Sequence, residues 1–370
     1  MLQVERISRI DWTAFFICTA LATISLLFIY SSTYTCEQPY SSYFVQRAIG
    51  LLIGFGIYFL FCMIDFRSLC RWGYFAYFLI IVLLLFTLIK GSIGMGAQRW
   101  IDVKIFRFQP SELAKLLLPA FIVYYLQGEP SQRIYPLRTF VPIFVIMAFS
   151  TLLILKQPDL GTALIIIIAG ALMLWHAGLS KKFFLWSALT CAICTPVLYQ
   201  FLKPYQRKRI EVYIGNGDVQ HERYHVEQSK IAIGSGGILG KGFLQGTQNR
   251  LAFLPERRTD FIFSVLCEEW GLLGATLLLL LYSALMIHLF QEINKIREFF
   301  AQLLALGLFL PIAISVVINI GMVIGLLPVV GIPLPLVSYG LTHTWVTFAA
   351  LGWITSITTS SITTSRLTNE

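Results

Sequence analysis

The sequence predicts an all-α polytopic integral membrane protein, and three observations carry that prediction. The 370-residue chain is 57% hydrophobic. Only 13% of it is charged, against about 25% in a soluble domain. Its mean hydropathy is +0.74, and apolar runs of about 20 residues, enough for a helix to cross a bilayer, recur along the chain. Helix follows because lipid cannot satisfy exposed backbone groups. A closed barrel is excluded, since its strands alternate apolar and polar residues and these runs are continuous.

About ten transmembrane helices follow in order, near 12–30, 43–62, 73–90, 112–126, 137–155, 159–178, 183–201, 261–290, 300–327 and 341–358. An even number returns both termini to one side. Arg6 and Arg9 precede the first span, which makes that side cytoplasmic by the positive-inside rule. Short cytoplasmic loops then carry Arg67/Arg71, Arg133/Arg138, Lys181/Lys182 and Lys295/Arg297. The N-terminus shows no signal-peptide cleavage site, so the first span is expected to stay as an anchor. No internal repeat or linker divides the chain, and residues 1–370 read as one membrane domain.

Charge and cysteine narrow the class further. The net charge of +9 is scattered through loops, which fits topology and membrane lipid head groups and not nucleic acid. Seven cysteines fall mostly inside apolar runs. Cys191 and Cys194 form a C-x-x-C there, where small buried hydrophobes are expected rather than redox or metal chemistry.

Two segments face outward on this topology. The loop 91–111 carries Arg99, Lys104 and Arg107 against the charge rule, which points either to a loop that escapes it or to an anion site. The segment 202–260, between the seventh and eighth helices, is polar and glycine-rich, and loops of that length without function are uncommon. Within it HERYH (221–225) matches the zinc-protease pattern, but it follows the turn-like GNGDVQ, and three fixed positions are weak support. GSGGILGKG (234–242) fails as a Walker loop and as a dinucleotide fingerprint; a flexible turn is expected.

Polar groups at span ends are the candidate functional residues. QPSELAK places Glu112 and Lys115 at i and i+3 on one helix face, a charge pair for an inner cavity. KQPDLGTA places Asp159 where it can cap the next helix or bind ligand at the surface. GLLPVVGIPLPLVSYG (325–340) carries Pro328, Pro333 and Pro335, which break helix and predict an irregular connection lining a cavity. LPERRTDFIF (254–263) gathers Glu256, Arg257, Arg258 and Asp260 at the lip of an apolar span. Helix capping by Thr259 or Asp260 is one reading. The chemical reading has the arginines hold a phosphate, while Asp260 takes a proton or holds a divalent metal.

Taken together, GAQRWID and RFQPSELAK within 96–115, KQPDLGTA at 156–163, PYQRKRI at 204–210, YHVEQSKIAIGSGGILGKGFLQGTQ at 224–248, LPERRTDFIFSVLCEEWG at 254–271 and GLLPVVGIPLPLVSYG at 325–340 resemble the SEDS proteins of shape, elongation, division and sporulation. The order and spacing match over nearly the whole chain, and the elongation branch resembles it more than the division branch. The resemblance implies a ten-helix SEDS fold in the bacterial inner membrane. It implies a peptidoglycan glycosyltransferase that polymerises lipid II during cell elongation, working with a class B penicillin-binding protein and other elongation-machinery proteins. It marks Asp260 as the essential acid, carries over Trp100, and places Glu112 and Lys115 in a sensitive cavity. The chain departs from the family at Leu341, Thr342 and His343, where SYGGSS is usual, at Val330 for threonine, and at Arg258 for histidine.

Transfer from a pyrophosphate donor asks for a base and for charge stabilisation of the leaving group. Asp260 is the candidate base, or a ligand for Mg²⁺ or Mn²⁺. Arg257, Arg258 and Arg99 are candidate anion clamps, with Trp100, Asp159 and Glu256 beside them as substrate contacts. A lipid II flippase is the rival class. Its cue would be ionisable residues at mid-membrane depth or paired broken helices, whereas these charges gather at the outer ends.

Overall fold

The computed structural model describes residues 10–35, 37–94, 97–102, 107–129, 135–201, 207, 211, 224–250 and 256–367. Helices stand over all ten predicted spans, and short polar side chains open the first three. α1 (Trp12–Thr33) starts at Asp11, which accepts a hydrogen bond from the Ala14 amide at 3.0 Å. α2 (Ser42–Met63) starts at Ser41, and α3 (Phe66–Lys90) at Asp65. The Asp65 cap explains why α3 begins seven residues before the predicted span at 73. α4 (Pro110–Gln127) opens on a proline, which suits the first helical turn because that turn has no use for its amide. α5 (Leu137–Lys156), α6 (Leu160–His176) and α7 (Lys181–Phe201) follow. Among the described residues α1, α2, α3, α5 and two later helices are long and apolar enough to cross a membrane, while α6 is apolar but has 17 residues.

The misfit loop after α3 is a small antiparallel sheet. β1 (Ser92–Gly94), β2 (Ala97–Asp102) and β3 (Arg107–Phe108) lie in that order, with Ser92 opposite Trp100 and Asp102 opposite Arg107. Lys104 lies outside the described residues, as do Arg6, Arg9 and Arg133.

The segment 202–260 is less of a loop than its composition predicts. α8 (Tyr224–Gly236) and the single turn α9 (Thr247–Arg250) interrupt it. α8 packs on α10 (Ile262–Asn294) and α11 (Phe299–Val323). There the Ser229 hydroxyl meets that of Ser264 and donates to the Val323 carbonyl, both at 2.7 Å. α12 (Leu341–Leu367) closes the bundle against α2 and α11.

The glycine-rich stretch is pinned rather than flexible. α10 breaks at Gly271 (φ 61°, ψ −157°), and a broken helix frees backbone groups that an apolar bundle must pair. Residues 237–242 pair them: the Lys241 and Gly242 amides reach the carbonyls of Glu268 and Glu269 at 3.0 Å, and those of Leu272 and Leu273 reach Gly237 and Ile238. Glu268 and Glu269 are themselves buried. One Glu268 oxygen accepts from the Lys241 ammonium at 2.8 Å, the Thr247 hydroxyl at 3.1 Å and the Gln248 amide at 2.9 Å. Glu269 accepts from the Leu244 amide at 3.2 Å and from the Ser31 hydroxyl of α1.

A Cβ at Gly240 would sit 2.1 Å from the Glu269 carbonyl oxygen, at φ +80°. Gly240→Ala is therefore expected to destabilise the protein by more than about 1–3 kcal/mol, the cost of a strained backbone alone, and so to lower its unfolding temperature in detergent. Gly234→Ala, on the same segment with open space around it, should leave that temperature within error.

Candidate functional site

The proline-rich run between α11 and α12 is irregular, as its composition predicts, and it organises one end of the bundle. Its backbone groups find specific partners. Asn319 of α11, wholly buried, donates from one amide nitrogen to the carbonyls of Ile332 at 2.7 Å and Asp260 at 2.9 Å. The Ser338 hydroxyl accepts from the Leu334 amide at 2.8 Å and donates to the Thr259 carbonyl. The Tyr339 amide donates to the Arg258 carbonyl at 2.9 Å. Arg47 of α2, 0% exposed, donates to the Leu336 carbonyl, the Thr344 hydroxyl and the Ser25 hydroxyl. Leu336 sits at φ +65°, a strained conformation for leucine, and the guanidinium fixes its carbonyl there.

This strap sets the geometry of Asp260. Residues 258–260 are bonded through their carbonyls to the strap and to Asn319, so the chain reaches α10 by a turn. The Thr259 amide closes that turn on the Glu256 carbonyl at 3.1 Å, and Glu256 takes φ +51°. Helix capping fails as an explanation: the N-cap is Phe261, with no capping side chain. Thr259 instead bonds the Glu256 carboxylate at 3.0 Å. The Asp260 side chain is partly exposed, and one of its oxygens lies 3.6 Å from where a Cβ on Gly331 would stand. Gly331 takes φ +74°, a backbone conformation that favours glycine.

Two guanidiniums share the turn. Arg258 lies over the Tyr43 ring at 4.1 Å, and Tyr43 is edge-on to Tyr339. Arg257 is half-buried, and burial, followed by the positive charge of Arg258, holds its pKa below the usual arginine value.

Asp159 lies on the other side of the strap. It is the N-cap of α6 and 3% exposed. Its carboxylate accepts from the Thr162 amide at 3.2 Å, the Gln109 amide at 2.8 Å and the Ser111 hydroxyl at 3.0 Å. Arg99 of β2 stands 3.7 Å away. A Cβ at Gly161, two residues on, would press 2.9 Å from the Val330 carbonyl. The strap thus runs between the start of α6 and Asp260. Trp100, next to Arg99, lies against Gly94 of the facing strand.

The Glu112–Lys115 pair forms as predicted, at 2.9 Å, with both side chains buried. It has a third member: His343 Nδ1 stands 2.9 Å from the other Glu112 oxygen. The residue that departs from the family pattern therefore belongs to the charge cluster. Sequence reasoning missed Arg47, Asn319 and Ser338. Arg47 carried a signal, since an arginine inside an apolar span marks a special site by default. The two polar side chains carried none beyond their position. His221 and Glu222 of HERYH lie outside the described residues. Among the described residues no three histidine, cysteine, aspartate or glutamate side chains group to hold a metal.

A multi-helix membrane bundle that keeps carboxylates and guanidiniums at one end, around an irregular strap, is a membrane enzyme scaffold rather than a passive anchor. The family model for FtsW, RodA and SpoVE, described as a cell cycle protein, matches residues 11–362. The peptidoglycan glycosyltransferase MrdB of Escherichia coli K12 is 40% identical over 95% of this chain and 94% of its own. A probable peptidoglycan glycosyltransferase FtsW of Geobacter sulfurreducens is 32% identical over 97% of each. A chain of a peptidoglycan synthase complex that coordinates polymerization and crosslinking superposes with TM-score 0.81 at 27% identity, over 95% of this chain and 98% of that one. The rod shape determining protein RodA of Thermus thermophilus gives 0.69 at 26%, over 95% and 97%. The chain belongs to the SEDS family.

Hydrogen bonds to a charged group are worth about 1.5–3 kcal/mol. Gln109→Leu and Ser111→Ala, each removing one donor to buried Asp159, are expected to destabilise the protein by about that much in detergent denaturation, and Asp159→Ala by more than either.

Proposed function

We propose that the Asp260 end of the bundle is where this peptidoglycan glycosyltransferase joins lipid II units into glycan strands during cell elongation. We place that end on the outer face of the bacterial cytoplasmic membrane, with both termini cytoplasmic. The observation that carries the reading is a partly exposed carboxylate at Asp260 within three residues of the Arg257–Arg258 pair, on a turn fixed from both sides.

The acceptor's GlcNAc 4-hydroxyl attacks the MurNAc anomeric carbon, and the bond from that carbon to the pyrophosphate oxygen breaks. Undecaprenyl pyrophosphate leaves with the bonding pair. The hydroxyl proton passes to Asp260, the general base. An α-linked donor becoming a β-1,4 link requires one inverting displacement. Arg257 and Arg258 take the charge that grows on the leaving group. Burial and, after it, the positive charge of Arg258 lower the pKa of Arg257, and a bound anion would favour the charged form of both. Arg99, Trp100 and Glu256 contact the substrate around this centre. Asp159 holds Arg99 at the edge of the site and acts through it.

A divalent cation fits this site only as one shared with substrate. Asp260 supplies one carboxylate, and Asp159 already has its donors. Mg²⁺ is commonly held by one or two carboxylates plus substrate phosphates. Asp260 is the residue that would hold Mg²⁺ or Mn²⁺, which would neutralise pyrophosphate charge. The likeness to a synthase-complex chain supports a class B penicillin-binding protein as the cross-linking partner.

Purified protein with its penicillin-binding partner, given labelled lipid II, tests the reading. Loss of a general base costs about 10²–10⁴ in rate, so Asp260→Ala and Asp260→Asn should polymerise at least about a hundredfold more slowly while remaining folded. Dependence on Mg²⁺ or Mn²⁺ that vanishes in Asp260→Asn would assign Asp260 to metal holding instead. Undiminished polymer from folded Asp260→Ala would refute the assignment. Wild-type protein that moves lipid II across vesicles without polymerising it would make this a flippase.

A further inference from the structure

SYGLTHT departs from the pattern of the family it resembles, and the structure gives one of its residues an unusual position. His343 is 7% exposed. Its Nδ1 lies 2.9 Å from Glu112, while the Lys115 ammonium lies 2.9 Å from the other oxygen of the same carboxylate. A neutral imidazole has one N–H and one lone pair, and the carboxylate accepts, so Nδ1 carries the proton. Nε2 is then an acceptor. It is buried and finds no partner among the described residues. The ring lines a cavity of about 20 Å³ shared with Glu112, Lys115, Ser315, Pro335 and Thr347. A space of about 10–15 Å³ by this measure admits one water, which can donate to Nε2.

The position of His343 in the chain matters as much as its bonds. Five residues upstream, Ser338 holds the Thr259 carbonyl, and Tyr339 holds that of Arg258. One residue upstream, the Thr342 hydroxyl donates to the Arg107 carbonyl of β3 at 3.1 Å. One residue downstream, the Thr344 hydroxyl accepts from Arg47. Glu112 sits in the first turn of α4, beside the Gln109 and Ser111 that hold Asp159. Alongside the Thr342–Arg107 bond, His343 is therefore a side-chain link between the turn that fixes Asp159 and the start of α12, where the strap ends.

We propose that His343 is a positioning residue for the glycosyl transfer: its Nδ1–H clamps the Glu112 carboxylate between α4 and α12, and so holds the strap that fixes Asp260. It never touches substrate. The inference rests on Asp260 being the catalytic centre.

Lipid II polymerisation by the complex with its partner tests it, with kcat and KM measured separately. His343→Leu keeps the volume and removes the hydrogen bond. His343→Asn keeps a donor near the position of Nδ1. His343→Leu is expected to lower kcat about tenfold or more, the scale of one lost bond to a charged group, with KM for lipid II within about twofold. His343→Asn should recover kcat to within about threefold of wild type. His343→Leu added to Glu112→Ala should cost little beyond Glu112→Ala alone, because that change already removes the His343 bond along with the Lys115 pair. Equal losses in folded Asn and Leu variants, additive losses in the double variant, or a folded Leu variant with wild-type kcat would each overturn the proposal. If His343→Leu fails to fold, the comparison of His343→Asn with His343→Gln, whose longer amide misplaces the donor, decides in the same way. Asp260→Ala run in parallel separates the two claims: polymer retained there removes the catalytic assignment, whereas its loss beside an intact His343→Leu removes only this one.

Discussion

The constraint on which the site depends is the pairing of backbone groups where the chain is not helical. Residues 324–340 cross the end of an apolar bundle without helix, and there is no water in lipid to satisfy their carbonyls. Each exposed polar group left unpaired would cost about 1–3 kcal/mol or more. The bundle supplies partners from three helices and one turn: Arg47 of α2, Asn319 of α11, Tyr282 of α10, and the carbonyls of Arg258 and Thr259. Fixing the strap therefore fixes Asp260. The same bonds that make the irregular backbone tolerable deliver a carboxylate to a defined place.

Arg47 shows how this solution differs from a salt bridge. A buried guanidinium paired with a carboxylate would gain Coulomb energy at a desolvation cost that can exceed it. Here its recorded partners are two hydroxyls and a carbonyl, so the charge is solvated by dipoles and is spread over three elements. Its planar fork of five donors suits that work, which a lysine's single ammonium would do with less geometric control. The carboxylates are treated differently. Asp159, Glu112, Glu268 and Glu269 are each buried against two or more donors. Asp260 keeps a partly exposed side chain.

How much of this was legible in the sequence follows from what each signal depends on. Apolar length and proline placement are local, so the helices and the irregular 325–340 run were readable. Glu112 and Lys115, at i and i+3, were readable for the same reason. The Asp159 cap was readable because an N-cap bond spans three residues. The Glu112–His343 contact spans 231 positions and leaves no local trace. Nor does the anchoring of the 237–242 turn by Glu268 and Glu269, which composition alone made look flexible. The N-cap of α10 was misread by one or two residues because the strap, not capping chemistry, decides where that helix begins. Arg47 is the instructive miss. Its signal, a charge inside an apolar span, was present, but it lay far in sequence from every motif that carries the resemblance.

The charge arrangement also fits the proposed reaction at the Asp260 turn better than one deeper in the bundle. Glu112, Lys115 and His343 form a closed set in which every charge has a partner within 2.9 Å. Such a set is stable in low dielectric and offers no net charge to a pyrophosphate. At the Asp260 turn, Arg257 is half-buried and its pKa is lowered by burial first and by the neighbouring positive charge of Arg258 second. On the proposed reading, a pyrophosphate meets that turn without entering the apolar interior. The inner triad's contribution is mechanical, through the strap, and the outer pair's is electrostatic. The two are joined by one stretch of backbone from Ser338 to Thr344, so a change in either is felt at Asp260.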